Sequence, residues 1–347
     1  MARTDLLKKL LASYQRHDDA AFRTAADDII AEERAKHHVV VANELERIMK
    51  SSNGNGSQIN EAAYGTLQAF SPPPQDLDRK TLLLEVRQPS RYLDELVFSN
   101  TIRKSVDRIL REVRDWDILE SNGLSPSNRV LFCGPSGCGK TAMAQAMATE
   151  LGLPLLYVRF DAVVSSLLGE TAANVRKVFD YARRGRWVML FDEFDAIGRS
   201  RDDATEHGEI KRVVNSFLQI MDGFDGRCVI IAATNFEQAL DPAIWRRFDE
   251  VIRFERPSGE ELLALIIKRL SPLSFKDGQV HILSSSLSGG TFADAERVCL
   301  DIRKSSVIRG LKAVSNDDIE EATRRHRYRI SVLDKAHVRE NPAVDQD

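Results

Sequence analysis

The sequence has no apolar run that approaches the roughly 18–20 residues that a membrane-spanning helix requires. Its first residues, MARTDLLKKLLASYQRHDD, lack the apolar core of a signal peptide. Cysteine is scarce: there are four, none in a C-x-x-C pair and none with a histidine at metal-ligand spacing. We therefore expect a cytoplasmic protein with no membrane insertion, whose reduced thiols lie in the core or in loops.

The sequence also lacks an excess of either charge. Lysine and arginine total 49 against 52 acidic residues, a formal net charge of −3. Dedicated nucleic-acid-binding proteins usually contain a strongly basic domain, so the balance argues against that class. One basic stretch, RRHRYR at 324–329, offers a local surface for nucleic acid. Its alternative reading is the solvated, cationic end of a last helix, where positive charge complements the helix dipole.

Two segments near the N-terminus have the composition of linkers. SSNGNGSQIN at 51–60 is typical of flexible chain, and SPPPQ at 71–75 is a stiff proline run. Apolar residues before them recur at helical spacing, which predicts about three short helices. The sequence thus divides into an N-terminal helical module at 1–50, a flexible linker at 51–90, an α/β region at 91–257, an all-helical region at 258–330 and a tail at 331–347.

The α/β region alternates short β-branched runs with helical stretches. This alternation predicts a parallel sheet with crossover helices, because parallel strands need long connections that usually contain a helix. The five predicted strands are RVLFCG at 129–134, LPLLYVRF at 153–160, RWVMLFDE at 186–193, RCVIIAATN at 227–235 and EVIRF at 250–254.

A glycine-rich loop follows the first of these strands and opens a helix. Its sequence, GPSGCGKT at 134–141, fits the pattern G-x-x-x-x-G-K-T, whose backbone N–H groups cradle phosphate oxygens. Lys140 is predicted to reach the β- and γ-phosphates, and the Thr141 hydroxyl to ligate Mg²⁺. The candidate nucleotide-binding residues of the loop are Gly134, Pro135, Ser136, Gly137, Cys138, Gly139, Lys140 and Thr141.

Polar residues follow two further strands. Asp192 ends an apolar strand and can hold the Mg²⁺ shell opposite Thr141, because α/β sheets place ligands at the carboxyl ends of their strands. Glu193 can then orient and deprotonate a water for attack on the γ-phosphate. Asn235 ends the next strand, where its amide can accept from that water and donate to the phosphate.

Six motifs in this order resemble those of the classical AAA family of ring-forming ATPases. They span about residues 90–315 and are GPSGCGKT, MLFDEFDAIGRSR, GEIKRVVNSFLQIMDGF, VIIAATN, LDPAIWRRFDEVIRF and LSGGTFADAERV. The resemblance implies a five-stranded P-loop sheet with a helical lid, ATP and Mg²⁺ bound between subunits, and a homo-oligomer that is usually a hexamer. Residues 91–257 would be the large ATPase subdomain, and 258–330 the lid.

The resemblance also implies roles for two further groups of residues. Arg247 corresponds to the arginine finger and Arg246 to its companion, both serving the neighbouring subunit's nucleotide, and which of them touches the phosphate stays open. The alternative is local neutralisation by Asp241, Asp249 or Glu250. The inter-subunit signalling motif corresponds to Asp222, Gly223 and Phe224.

The sequence departs from the family at two points. The first pore loop of the translocating members carries an aromatic residue, whereas DAVVSSLLGET at 161–171 has none and places Leu167 at that position, followed by Leu168. Leucine offers an extended peptide less contact than an aromatic ring. The lid motif has no arginine at its helix start, as is usual for the classical branch, so no second sensor arginine is assigned there.

The function indicated by these motifs is ATP hydrolysis that drives remodelling or unfolding of a protein client. The N-terminal helices resemble in layout the small adaptor modules of severing and membrane-remodelling relatives, and they would bind a client or partner. The whole layout also resembles compact bacterial AAA proteins that are paired with a subtilisin-like serine protease. Two alternatives stay open: an ATP-dependent switch that controls a partner enzyme, such as a protease, without threading, and a nucleic-acid motor.

Overall fold

The computed structural model describes residues 6, 9, 12–13, 19–35, 72–76, 80–163, 168–194, 216–235 and 242–340. In the predicted N-terminal module it places one helix, α1 (Asp19–Ala35). Ala25, Ala26 and Ile30 of this helix are buried, as the spacing of one apolar face requires. Residues 6, 9 and 12–13 are also helical. The remaining residues of 1–50, and residues 51–71 of the linker, lie outside the described residues.

A mostly parallel sheet forms the centre of the described fold, and the predicted α/β class is confirmed. The strand order is β1-β3-β4-β5-β2-β6. The neighbouring pairs β3–β4, β4–β5, β5–β2 and β2–β6 are parallel, whereas β1 pairs antiparallel with β3 at one edge. The strands are β1 (Leu84–Arg87), β2 (Arg129–Cys133), β3 (Leu155–Val158), β4 (Val188–Phe191), β5 (Val229–Thr234) and β6 (Glu250–Arg253).

Strand β1 corrects the prediction in two respects. The sheet has six strands rather than the expected five, and the extra strand lies inside residues 51–90, which were predicted to be flexible linker. Leu83 and Leu84 are fully buried, and Leu84 pairs with Val158. The apolar run TLLLEV after the prolines must be buried, and the open edge of β3 lets it gain both burial and backbone hydrogen bonds.

Helices cover both faces of the sheet. On one face, α2 and α4 pack against β2, β4 and β5, and on the other face α6 and helical residues 216–222 enclose a cluster of phenylalanines. Phe179, Phe191 and Phe217 are fully buried there, with ring centroids 5.0–5.8 Å apart. The helices are α2 (Asn100–Arg114), α3 (Trp116–Ser121), α4 (Lys140–Leu151), α5 (Phe160–Val163), α6 (Leu168–Ala182) and α7 (Pro242–Trp245).

The α2 sequence shows how local chemistry sets a helix and its buried face. The Ser99 hydroxyl caps the helix by accepting a hydrogen bond from the Ile102 N–H at 3.3 Å. Ile102, Val106 and Ile109 then recur at spacings of four and three, so their side chains lie on one face and are buried. That face packs against α4. Helix α4 begins with the last residues of the phosphate loop.

Four helices follow the sheet and form a second core, which is the predicted helical lid. They are α8 (Gly259–Leu270), α9 (Asp277–Ser286), α10 (Phe292–Ile308) and α11 (Asn316–Glu340). Leu262, Ile266, Leu283, Val298 and Ile302 are among the buried residues that hold them together.

The last helix corrects the predicted start of the tail. Helix α11 continues to Glu340, so residues 331–340, assigned to the tail, are helical. Residues 324–340 contain no glycine or proline, and most of their side chains favour helix, so no residue among them interrupts it. Residues 341–347 lie outside the described part. No helix in the described part of the chain is long and apolar enough to cross a membrane.

Candidate active site

The carboxyl ends of three neighbouring strands bring the predicted site residues together. Strand β5 lies between β2 and β4, and the three run parallel. The phosphate loop leaves the end of β2, Asp192 and Glu193 follow β4, and Asn235 follows β5. The pairing places the strand ends in one row, since Cys133 pairs with Thr234 and Phe191 with Ala232.

The glycines of the phosphate loop adopt backbone conformations that favour glycine. Gly134, Gly137 and Gly139 have φ values of 130°, 75° and 99°. At Gly134 a Cβ atom would lie 1.9 Å from the backbone oxygen of Phe254, so no other residue fits without movement of β6. Helix α4 begins directly after Gly139, with its N-terminus toward the loop.

Lys140 is buried and connects the loop to the end of β5. Its side chain amine donates to the carbonyl oxygens of Gly134 at 2.6 Å and Pro135 at 2.8 Å, and to Oδ1 of Asn235 at 2.8 Å. A lysine that is only 6% exposed needs such acceptors, because burial without them would be costly. The lysine is thereby held at the mouth of the loop, where it can exchange these acceptors for phosphate oxygens.

Thr141 and Asp192 form a pair of oxygen donors beside the loop. The Thr141 hydroxyl donates to Oδ2 of Asp192 at 2.8 Å, and Oδ1 of Asp192 accepts from the Glu193 backbone N–H at 3.0 Å. Hydroxyl and carboxylate oxygens are hard ligands that suit Mg²⁺, which commonly takes one or two protein ligands together with phosphate and water oxygens. Among the described residues no group of three or more His, Cys, Asp or Glu side chains could hold a metal.

Glu193 is held in a strained backbone conformation. Its φ is 54°, in the left-handed region that non-glycine residues seldom adopt, at a cost of about 1–2 kcal/mol. The next residue, Phe194, is fully buried and packs 5.1 Å from the Phe217 ring, which anchors the turn. With Phe194 buried, this turn leaves the Glu193 side chain exposed next to Asp192.

These residues line one cleft of about 380 Å³ between the sheet and the lid. Lys140, Thr141, Asp192, Glu193 and Asn235 form its polar end. The lid closes directly on the loop, because the Ala293 backbone N–H donates to the Gly137 carbonyl at 3.0 Å. The remaining walls include an apolar group made by Val97, Phe98, Leu265 and Phe292.

Comparisons with known proteins identify the family. Residues 130–256 match the model of the ATPase family associated with various cellular activities (AAA). The chain is 41% identical over 326 residues to an uncharacterized AAA family ATPase, y4kL, of Sinorhizobium fredii, an alignment that covers 93% of this chain and 94% of the relative. The chain belongs to the AAA family. The chain is therefore an ATPase.

More distant relatives of this AAA chain include proteasome-activating nucleotidases. It is 28% identical to the proteasome-activating nucleotidase of Methanococcus vannielii, over 81% of this chain and 75% of the relative. It is 31% identical to the protein of the same name from Thermococcus onnurineus, over 71% of this chain and 68% of the relative. At the level of the family, the function is ATP-driven remodelling of proteins.

Arg247 does not lie in the cleft of its own AAA chain, and its partner differs from those considered from the sequence. It forms an ion pair with Asp222. Asp249 instead accepts the backbone N–H groups of Asn128 and Arg129 at 3.1 and 2.9 Å, and Glu250 pairs with Arg108. Local neutralisation by Asp249 or Glu250 is therefore wrong, and Asp241 lies outside the described residues. Arg246 is exposed.

The predicted signalling motif begins at Asp222, the last of the helical residues 216–222. Asp222 also lies 3.7 Å from the Arg129 guanidinium, so two arginines converge on it. The Gly223 carbonyl accepts from Arg183 at 3.4 Å. Phe224 is only 8% exposed and packs edge-on against Phe179, with ring centroids 5.2 Å apart, so it is part of its own chain's core.

The candidate pore residues are Leu168, at the start of α6, and Leu167, which precedes it in the sequence. Leu167 lies outside the described residues, and Leu168 is placed only as the first residue of α6. The role of both stays a prediction.

Several residues that line the cleft were missed in the sequence. They come from three separate parts of the chain: the segment before α2, helix α4 and the lid. Among them are Arg91, Val97, Phe98, Gln145, Arg269 and Glu296. The lid thus contributes an arginine from α8 rather than from the start of α10. No local pattern indicates these residues, because their proximity depends on how the lid packs.

Proposed function

We propose that this AAA chain hydrolyses ATP with Mg²⁺ at the subunit interfaces of a hexameric ring and thereby remodels or unfolds a protein client. The observation that carries the proposal is the contrast between two sites. Lys140, Thr141, Asp192, Glu193 and Asn235 share one cleft, whereas Arg247 is held by Asp222 and does not line that cleft. The described lining of the cleft includes neither Arg246 nor Arg247, which fits a site that a second subunit completes.

Within the cleft, each side chain has a distinct proposed role. Lys140 binds the β- and γ-phosphates, and Asn235, which now accepts from Lys140, orients the attacking water. Thr141 and Asp192 would hold Mg²⁺, which would supply positive charge that neutralises the phosphates. Glu193 takes the proton of the water, and its exposure and strained turn place it beside Asp192.

Arg247 and Arg246 would complete the neighbouring subunit's cleft. A guanidinium is planar and always charged, and such fingers increase rates by about 10³–10⁵ in other phosphoryl-transfer enzymes. Asp222 would orient Arg247 through Nη1, while the other guanidinium nitrogens contact the neighbour's phosphate. The motif Asp222–Gly223–Phe224 would sense this contact, because Asp222 holds Arg247.

The client would bind through the N-terminal helices. Two relatives are named proteasome-activating nucleotidases, which supports a partner that degrades proteins, such as the serine protease suggested by the layout. All four cysteines are buried and none is in a disulfide, which fits the reducing cytoplasm. The nucleic-acid alternative is weakened, because Arg324 and Arg325 of the basic stretch both pair with Glu321.

A switch that controls a partner enzyme without threading is the second candidate function. The absence of an aromatic residue from 161–171 favours it, because Leu167 and Leu168 would grip a peptide less well. Substituting Leu167→Ala separates the two candidates. Threading requires a large loss of client-dependent activity, whereas a switch would keep that activity intact.

Mixing two inactive variants tests the shared site. Lys140→Ala and Arg247→Ala should each lose nearly all turnover, and a mixture should recover part of it, since an intact cleft can then face an intact arginine. The control is Lys140→Ala mixed with the double variant Lys140→Ala/Arg247→Ala, which cannot assemble a complete site. If mixed rings form, as crosslinking would show, and the first mixture recovers nothing, the shared site is refuted.

A further inference from the structure

An ion pair between two lid helices forms part of the cleft wall. Arg269 lies in the last turn of α8, and Glu296 lies near the start of α10. The Arg269 Nε donates to Oε1 of Glu296 at 3.0 Å, and its Nη2 binds the same oxygen. Their side chains are 24% and 35% exposed, and both residues line the cleft. The pair is therefore accessible to a bound nucleotide.

The position of the pair along the cleft follows from helix geometry. Leu265 precedes Arg269 by four residues, and Phe292 precedes Glu296 by four, so each polar residue lies one turn from an apolar wall residue on the same helix face. The start of α10 touches the phosphate loop through Ala293. Glu296 is thus about one turn, roughly 5 Å, farther along that helix.

The chemistry of the pair suits a neutral, hydroxyl-bearing group. A carboxylate would repel the triphosphate, but it is a strong acceptor for hydroxyl donors. Both bonds from Arg269 go to Oε1, and Oε2 of Glu296 can accept further donors. The neighbouring apolar wall, with Val97 and Phe98, suits the flat face of a base. In ATP and ADP a ribose lies between the base and the phosphates.

We propose that Glu296 recognises the ribose of the nucleotide by accepting a hydrogen bond from a ribose hydroxyl, and that Arg269 is the positioning residue that orients its carboxylate. The proposal rests on the nucleotide site described above. The lid would then recognise the sugar. When α8 and α10 close over the cleft, Glu296 accepts a hydrogen bond that an analogue without that hydroxyl cannot form. Sites built to bind a hydroxyl discriminate strongly against analogues that lack it.

The test measures dissociation constants of the full-length chain for ADP, 2′-deoxy-ADP and 3′-deoxy-ADP, in wild type and in Glu296→Ala. Diphosphates avoid hydrolysis during the measurement. Wild type should bind ADP about tenfold or more tightly than one of the two deoxy forms, as expected for one hydrogen bond to a charged group. Glu296→Ala should weaken ADP binding by about the same factor and leave that deoxy form within about threefold, which abolishes the preference.

Matched variants separate ribose recognition from lid structure. Glu321→Ala removes an acid of the same lid that pairs with arginines on exposed α11, and it should preserve the preference. Arg269→Lys keeps the charge but loses the two-pronged geometry, and it should reduce the preference without abolishing it. If Glu296→Ala does not fold, Glu296→Gln serves in its place, with a smaller expected loss.

Two results would overturn the inference. One is a wild type that binds all three diphosphates equally well. The other is a Glu296 variant that weakens ADP and both deoxy forms by the same factor, because the pair would then only hold α8 to α10. Failure of the nucleotide site itself looks different, since wild type would bind none of the three compounds.

Discussion

Arg247 and Asp222 form an ion pair within one chain, although 25 residues separate them. Asp222 ends the helical residues 216–222 on one face of the sheet, and Arg247 follows α7 just before β6. Arg129, at the start of β2, approaches the same carboxylate. The arginine proposed to serve a neighbouring subunit is thus oriented by its own chain before any neighbour is bound.

The first prediction concerns this orientation. Asp222→Ala should lower kcat roughly 2- to 10-fold, because ordering a freed arginine side chain costs about 0.5–1.5 kcal/mol. Stability should change by no more than about 1 kcal/mol, since the pair is partly exposed to solvent. Steady-state ATPase assays and thermal unfolding measure both quantities.

Asp225→Ala is the matched control for that change. Asp225 belongs to the same loop but pairs with Arg183 and is far more exposed. It should leave kcat unchanged. A kcat for Asp222→Ala at or above the wild-type value would show that Asp222 does not position the finger.

The second prediction concerns Glu193. Glu193→Gln should lower kcat by about 10²–10⁴, the usual contribution of a positioned general base, while ATP affinity stays within about threefold. Isothermal titration and phosphate release assays separate the two effects. Glu260→Gln, at an exposed position of α8, is the control and should behave as wild type. Turnover by Glu193→Gln near the wild-type rate would exclude this residue as the base.

The third prediction uses the contact between the phosphate loop and the lid. Gly137 has φ 75°, and an added Cβ would lie 2.8 Å from Oγ1 of Thr291. Gly137→Ala should therefore shift the lid or the loop and weaken nucleotide binding by at least about tenfold, a cost of roughly 1–2 kcal/mol for the backbone conformation alone. Fluorescent-nucleotide titration measures it.

Gly278→Ala provides the opposite case in the same lid. Gly278 lies in α9, has no atoms within 4 Å of a built Cβ, and should gain about 0.4–1 kcal/mol of stability as alanine because the unfolded chain loses freedom. Its nucleotide affinity should be that of wild type. Equal affinities for the two variants would refute the steric argument at Gly137.

The fourth prediction concerns the thiols. Burial raises the pKa of Cys228 and of Cys299 to about 12, and burial also raises the pKa of Cys138. A raised pKa leaves the unreactive protonated thiol dominant at pH 8, so the reactive thiolate is scarce. Ellman's reagent should label the native protein slowly and all four cysteines rapidly in guanidinium chloride. A native thiol that reacts as fast as free cysteine would contradict the burial.

The sequence predicted the phosphate loop and the positions of the five parallel strands well, because both are encoded locally. GPSGCGKT carries its glycines, its lysine and its flanking strand and helix within a short stretch, so no distant contact is needed to recognise it. The placement of Asp192 and Asn235 at strand ends also followed, since a parallel sheet collects such ends at one edge.

The prediction missed strand β1 and the end of α11. Local composition suggested linker and tail, but composition does not show whether an apolar run has an open strand edge to join. Leu83 and Leu84 become buried only because β3 is an edge that β1 can cover.

By itself, the sequence determined the glycine-rich loop, its lysine and the strand-end carboxylates that we expect to contact a triphosphate, because these patterns are local. Only the tertiary structure decided which side chains meet. It joined Lys140 to Asn235 across 95 residues, Arg247 to Asp222, and Arg269 to Glu296 on the cleft wall. Such pairs depend on how strands and helices pack, because the partners come from distant parts of the sequence. The packing of the core and of the lid brings them together.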